Sequence, residues 1–132
     1  MKLFRGRQSP FRAADPKSFL GSAQTRLLAS DEAGVPVYVY SVRFDAGGRT
    51  NWHSHSGPQW LLITEGAIRA QCWGDVAEDL EAGDALLIEP GEKHWHGAVP
   101  GSAGSHLAVN IGVKTTWLEP VGDAEYQETR RR

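Results

Sequence analysis

The chain has little sulfur, no long apolar run and no excess of either charge. Its single cysteine, Cys72, excludes an internal disulfide and any multi-cysteine zinc site. The sequence places that cysteine as a small buried strand residue, not a reactive thiol. No stretch approaches the ~18 apolar residues of a membrane span, and the opening MKLFRGRQSP lacks the apolar core of a secretion signal. Fourteen basic residues face 16 acidic ones, a net charge of −2, which argues against nucleic acid as the main partner. Arg130-Arg131-Arg132 is then a short solvated run. These absences lead us to expect a soluble, cytoplasmic protein.

Long helical periodicity is missing too. Instead, 15 glycines and 7 prolines punctuate short apolar runs. VYVYSVRF (37–44), WLLIT (60–64), AIRAQCW (67–73), ALLIE (85–89) and HLAVNIGV (106–113) are rich in β-branched and aromatic residues. Turn signals bound them, among them Glu65-Gly66, Gly83-Asp84 and Pro90-Gly91. The pattern predicts one all-β domain, a sandwich or barrel. We divide it into an N-terminal arm (1–36) with an early strand near Thr25–Ala29, a barrel (37–118) and a tail (119–132) with one short helix. Several runs are apolar on both faces. One face lines the interior, and the other calls for a second sheet or a subunit, so a homodimer or dimer-based oligomer is expected.

The chain does have histidines, and all five are placed. His53/His55 and His94/His96 form two His-x-His pairs, with His106 downstream. Residues i and i+2 of a strand share a face, so each pair aims two imidazoles at one point. Two such pairs on neighbouring strands make a nitrogen-rich site suited to a first-row transition metal. Trp52 and Trp95 alternate with the histidines and should face the other way. His106 shares a face with Asn110. Glu65, Glu89 and Glu92 read as solvated charges at turns and strand ends.

The spacing carries more. Gly47, His53, His55, Gln59 and Gly66 follow a glycine, five residues, His-x-His, three residues, a polar ligand position, six residues, glycine. Gly83, Gly91 and His94 follow a second pattern, with Glu89 where a proline is usual and Pro90 beside it. These segments resemble the two motifs of the cupin superfamily, with glutamine in place of the usual glutamate at position 59. RTNWHSH, EPGEKHWHGAVP, SHLAV and WLEPVGDAEY are similar to small single-domain bacterial cupins that include manganese-dependent hydroxynitrile lyases.

That resemblance implies a double-stranded β-helix, or jelly roll. It implies a metal held by His53, His55, Gln59 and His94. It puts Thr50, His96 and His106 in the active site, the two histidines as proton carriers. Asn110 stands where the branch carries a longer glutamine. Trp60 and Trp73 replace different residues there, and Trp60 is expected against the substrate. The implied cofactor is one divalent transition metal, manganese or iron, with zinc or nickel able to take the site.

Three neutral imidazoles and a neutral amide leave a divalent ion its full charge. Such a site favours anions and Lewis-acid chemistry over one-electron chemistry. The expected function is therefore a metal-dependent enzyme acting on a small hydroxyl- or carbonyl-bearing molecule, with hydroxynitrile cleavage as the resemblance's specific implication. Two alternatives stand beside it: a cupin dioxygenase of phenols or diketones, and a non-catalytic small-molecule binder.

Overall fold

The structure, a computed structural model, describes residues 1–112 and 114–128. Val113, expected at the end of the last long strand, and the Arg130–Arg132 run lie outside the described residues. The strands are β1 (Arg12–Ala13), β2 (Phe19–Leu20), β3 (Ala23–Asp31), β4 (Val37–Phe44), β5 (Arg49–Thr50) and β6 (His53–His55). They continue with β7 (Gln59–Cys72), β8 (Glu78–Glu81), β9 (Ala85–Ile88), β10 (His94–Ala98), β11 (Gly104–Ile111) and β12 (Thr115–Trp117). One helix, α1 (Asp123–Gln127), follows, as the tail's sequence led us to expect.

All pairings are antiparallel. One sheet runs β1-β3-β4-β11-β7-β9. The other joins β8, β7, β10, β5 and β2, with β6 bridging β10 and β12. The long β7 serves both sheets and turns between them at Gly66. That glycine has φ 62°, and a Cβ there would meet the Ala103 carbonyl at 2.3 Å. Only glycine tolerates both the conformation and the approach. Residues 12–31, read from sequence as part of an arm, are thus woven into the barrel as three strands.

Strand alternation fills the interior. Val42, Phe44, Leu61, Ile63, Ile68, Ile88, Ala98 and Ala108 form one buried cluster between the sheets. Each large side chain there contributes roughly 1.5–3 kcal/mol by leaving water. A second cluster, Trp52, Trp95, Val121 and Tyr126, lies on the far side of the histidine-bearing strands. The tryptophans that alternate with the histidines therefore pack outward, under the C-terminal segment.

Two buried arginines fasten that segment. Arg49 Nη2 donates to the Val121 carbonyl at 2.8 Å and to Asp123 at 2.9 Å. Arg69 grips Asp79 through two bonds of 2.7 and 3.0 Å and donates to the Tyr126 carbonyl at 2.8 Å. Tyr126 donates its hydroxyl to the Ala98 carbonyl on β10. The floor under the histidine strands is thereby fixed.

Candidate metal centre

The centre is built by register. His53 on β6 lies opposite His94 on β10, and their ring centroids are 4.2 Å apart. His55 adds a third ring, 5.0 Å from His53 and 5.2 Å from His94. The turn before β10 is tied to β6, because Gly91 N–H donates to the His55 carbonyl at 2.9 Å. From the first sheet, Gln59 on β7 and Asn110 on β11 are direct partners.

Hydrogen bonds decide what each ring offers. His53 Nδ1 meets the Asn51 carbonyl, and His94 Nδ1 meets the Glu92 carbonyl, both at 2.9 Å. A carbonyl only accepts, so both Nδ1 atoms carry the proton and both Nε2 atoms keep a lone pair. His55 Nδ1 sits 3.0 Å from the Thr115 hydroxyl, and its buried Nε2 has no partner. The Gln59 amide donates to Asn110 Oδ1 at 2.7 Å, which turns Oε1 toward His94 Nε2 at 3.2 Å. Two lone pairs therefore face each other in a buried space. A cation between them removes that repulsion, so the residues present fit a divalent metal.

Burial, the main cause, holds His94 down to about 4 and His53 well below its ordinary value. His55 is lowered for the same reason. The rings are neutral near pH 7, as metal ligation requires. By ligand atoms, the tightest triad among the described residues is His53, His94 and His96, all within 4.8 Å of one another. The buried histidines could hold a metal, and His96 is close enough to compete with His55 for it.

His96 and His106 differ from the other three. His106 Nε2 and His96 Nδ1 are 2.9 Å apart, both rings are buried, and Phe44 packs against each. His96 Nε2 and His106 Nδ1 have no partner. Burial holds His106 at about 4 and His96 well below the ordinary range.

A cavity of about 260 Å³ opens onto this cluster. Phe19, Tyr40, Val42 and Trp117 give it apolar walls, while Thr50, Asn110 and Thr115 give polar ones. It is small beside ordinary ligand pockets of roughly 300–1,000 Å³.

The structure brings His53, His55, Gln59, His94, His96, Thr50 and Asn110 together in one region. Three placements need correction. Trp60 is not a cavity residue: it follows Gln59 on β7, so alternation turns it to the outer face, where it is 40% exposed. Trp73 is likewise outside, packed on Trp52 and Lys93. His106 does not line the cavity but lies behind His96 and reaches it only through their shared bond. Cys72 is half-buried at the end of β7, and burial pushes its thiol up to about 11, in keeping with an inert thiol. Sequence reasoning missed Thr115 and Trp117. Both project from β12 toward β6, Thr115 opposite His55 and Trp117 opposite His53. Their i, i+2 spacing in a short strand was the available signal.

The profile of the cupin domain family matches residues 40–109, more than half the chain. The chain belongs to the cupin family. This cupin is 43% identical to an (R)-mandelonitrile lyase of Granulicella tundricola over 90 residues, covering 66% of this chain and 69% of that one. Among solved structures it is similar to a cupin-like protein of Thermotoga maritima. The two share 37% identity and a TM-score of 0.83, over 87% and 90% of the respective chains. The polyketide cyclase RemF of Streptomyces resistomycificus matches with a TM-score of 0.71 at 18% identity, over 96% of this chain and 91% of that one. That last likeness is one of fold.

Proposed function

We propose that this cupin is a metal-dependent lyase that splits a cyanohydrin into an aldehyde or ketone and hydrogen cyanide. The observation that carries the proposal is the convergence of bare Nε2 and Oε1 lone pairs at Gln59 and His94, beside a bonded histidine pair. His53, His55, Gln59 and His94 would hold the metal, imidazole nitrogen suiting iron and amide oxygen suiting manganese. When bound, it supplies a cationic centre that stabilises negative charge developing on substrate oxygen or cyanide.

The chain's own residues do the rest. Phe19, Tyr40 and Trp117 hold the apolar part of the substrate in the small cavity and exclude water. Thr50 and Asn110 bound the same space, and Asn110 also keeps the Gln59 amide turned. His96 takes the hydroxyl proton as the bond to the nitrile carbon breaks. The electron pair leaves with cyanide, the carbonyl forms, and the proton returns to cyanide. His106 touches no substrate. It shares a proton with His96 and thereby positions it, so that a neutral ring meets the substrate. The relative's name supports the substrate class.

The test is elemental analysis of untagged protein followed by hydrogen cyanide release from mandelonitrile. The expected result is about one manganese or iron ion per chain, lost in His53→Ala and His94→Ala, with benzaldehyde formed in step with cyanide. A folded protein that stays metal-free after loading overturns the ligand set. A metal-loaded protein that leaves cyanohydrins intact but consumes oxygen with phenols overturns the lyase reading.

A further inference from the structure

A second cavity, of about 280 Å³, adjoins the one that opens onto the histidines and shares Tyr40, His55, Asn110 and Thr115 with it as walls. The two spaces are neighbours across that partition. Their other walls differ. The inner cavity has Phe19, Val42 and Trp117, whereas the outer one replaces these with Tyr38, Ser56 and Lys114 and with the backbone of Gly57 and Gly112. Gly57 closes the outer cavity tightly against the end of β11, because a Cβ there would meet the Ile111 carbonyl at 1.8 Å.

What the outer cavity offers is hydrogen. Asn110 gives its Oδ1 to the Gln59 amide, so only its NH₂ group remains to bond, and it can only donate. Ser56 Oγ accepts from the Lys114 N–H at 3.2 Å, which leaves its hydroxyl proton free. The Ser56 N–H in turn donates to the Lys114 carbonyl at 2.9 Å, so the lysine backbone is clamped to the rim from both sides. Among the described residues, neither the Tyr40 hydroxyl nor the Lys114 ammonium has a hydrogen-bond partner. No aspartate or glutamate lines the space. The acid bonded to its wall, Glu32, is exposed and accepts from the Tyr38 hydroxyl.

We propose that the outer cavity binds a carboxylate carried by the substrate; on the lyase reading above, on which this rests, the substrate is then the cyanohydrin of an oxo acid. Positive charge stands at both ends of the space. His55, at the inner end, belongs to a neutral ligand set that leaves a divalent ion its full charge, and Lys114 stands at the rim. An anion between them is attracted from both sides, and a cationic group is repelled. One ammonium and a few neutral donors match a monoanion. A carboxylate held there, across the partition from the histidines, positions the reacting carbon in the inner cavity by remote binding.

Titration calorimetry of the metal-loaded full chain tests this with two probes. One is 4-hydroxybutanoate; the other is 4-methylpentan-1-ol, in which an isopropyl group replaces the carboxylate. The acid should bind about 10–100-fold more tightly than the alcohol. Lys114→Met should remove that preference with an unchanged far-ultraviolet spectrum, and Lys114→Arg should keep most of it. Equal binding of the two probes, or no binding of the acid, overturns the proposal. A preference that survives Lys114→Met puts the carboxylate on the metal and overturns it as well. The metal-free chain is titrated alongside and should show the same dependence on Lys114, so failure of the metal ligand set is told apart from failure of the outer cavity. No cyanohydrin turns over in the titration, and cyanide release tests the lyase reading separately.

Discussion

Two groups of histidines share this barrel, and they differ in what holds them. His53, His55 and His94 each rest one ring nitrogen on oxygen: two backbone carbonyls and a threonine hydroxyl. His96 and His106 rest on each other. His53 and His94 are buried as fully as His96 and His106, and only His55 is partly exposed, so burial does not set the chemistry. An oxygen acceptor fixes which nitrogen carries the proton and leaves a directed lone pair, which suits a metal. A nitrogen partner leaves the proton free to sit on either ring, which suits proton transfer.

The largest test of this contrast is removal of a member from each group. His94→Ala is expected to abolish metal binding and activity together, read by elemental analysis and turnover. His96→Ala should keep the metal and lower kcat by about 10²–10⁴; metal loss in this variant would place His96 among the ligands instead of His55. Asn110→Ala comes next. It frees the Gln59 amide to rotate, and metal affinity should fall about 10–100-fold, read by competition with a chelator. An unchanged affinity would mean that Gln59 is held some other way.

Proton linkage sharpens the same comparison. His94 and His106 are held at about 4 in the fold, against 6.5 for an ordinary ring. The unfolded chain therefore binds more protons as pH falls. Stability of the metal-free protein should be greatest above about 6.5 and should decline as pH falls from there through 4. Urea midpoints across that window give the slope. His106→Gln, which removes one titrating ring, should make it shallower. The smallest effect belongs to Trp60→Ala, which should leave turnover per site within about twofold, as expected of a surface position remote from the chemistry.

Much of this was legible in the sequence because strands obey simple parity. Alternation alone put His53 with His55, His94 with His96, and Trp52 and Trp95 behind them. The same rule contradicts a cavity role for Trp60, since it adjoins Gln59; resemblance had suggested otherwise, and parity prevailed. Depth was not legible. Whether His106 faces the cavity or stands behind His96 depends on how β11 curves beside β10, which no local pattern encodes. Nor was Thr115, since its bond to His55 joins residues 60 apart in the chain. Residues 12–31 looked like an arm because their strand positions include Gln24, Thr25 and Arg26. Phe11 and the segment around Gly6 cover the outer face at Arg26, while Thr25 lines the cavity, so neither face needs an apolar pattern there.

The fastening of the C-terminal segment also sets an order of events. Arg49 and Arg69 leave the ribosome dozens of residues before Val121, Asp123 and Tyr126, which supply their acceptors. Until those acceptors arrive, Arg49 lacks its carboxylate and Arg69 has Asp79 alone, and the layer beneath β10 stays open. A nascent barrel therefore closes last at its floor. A chain interrupted before Val121 would leave Arg49 without its Val121 and Asp123 acceptors and Arg69 held by Asp79 alone, with the layer beneath β10 uncovered.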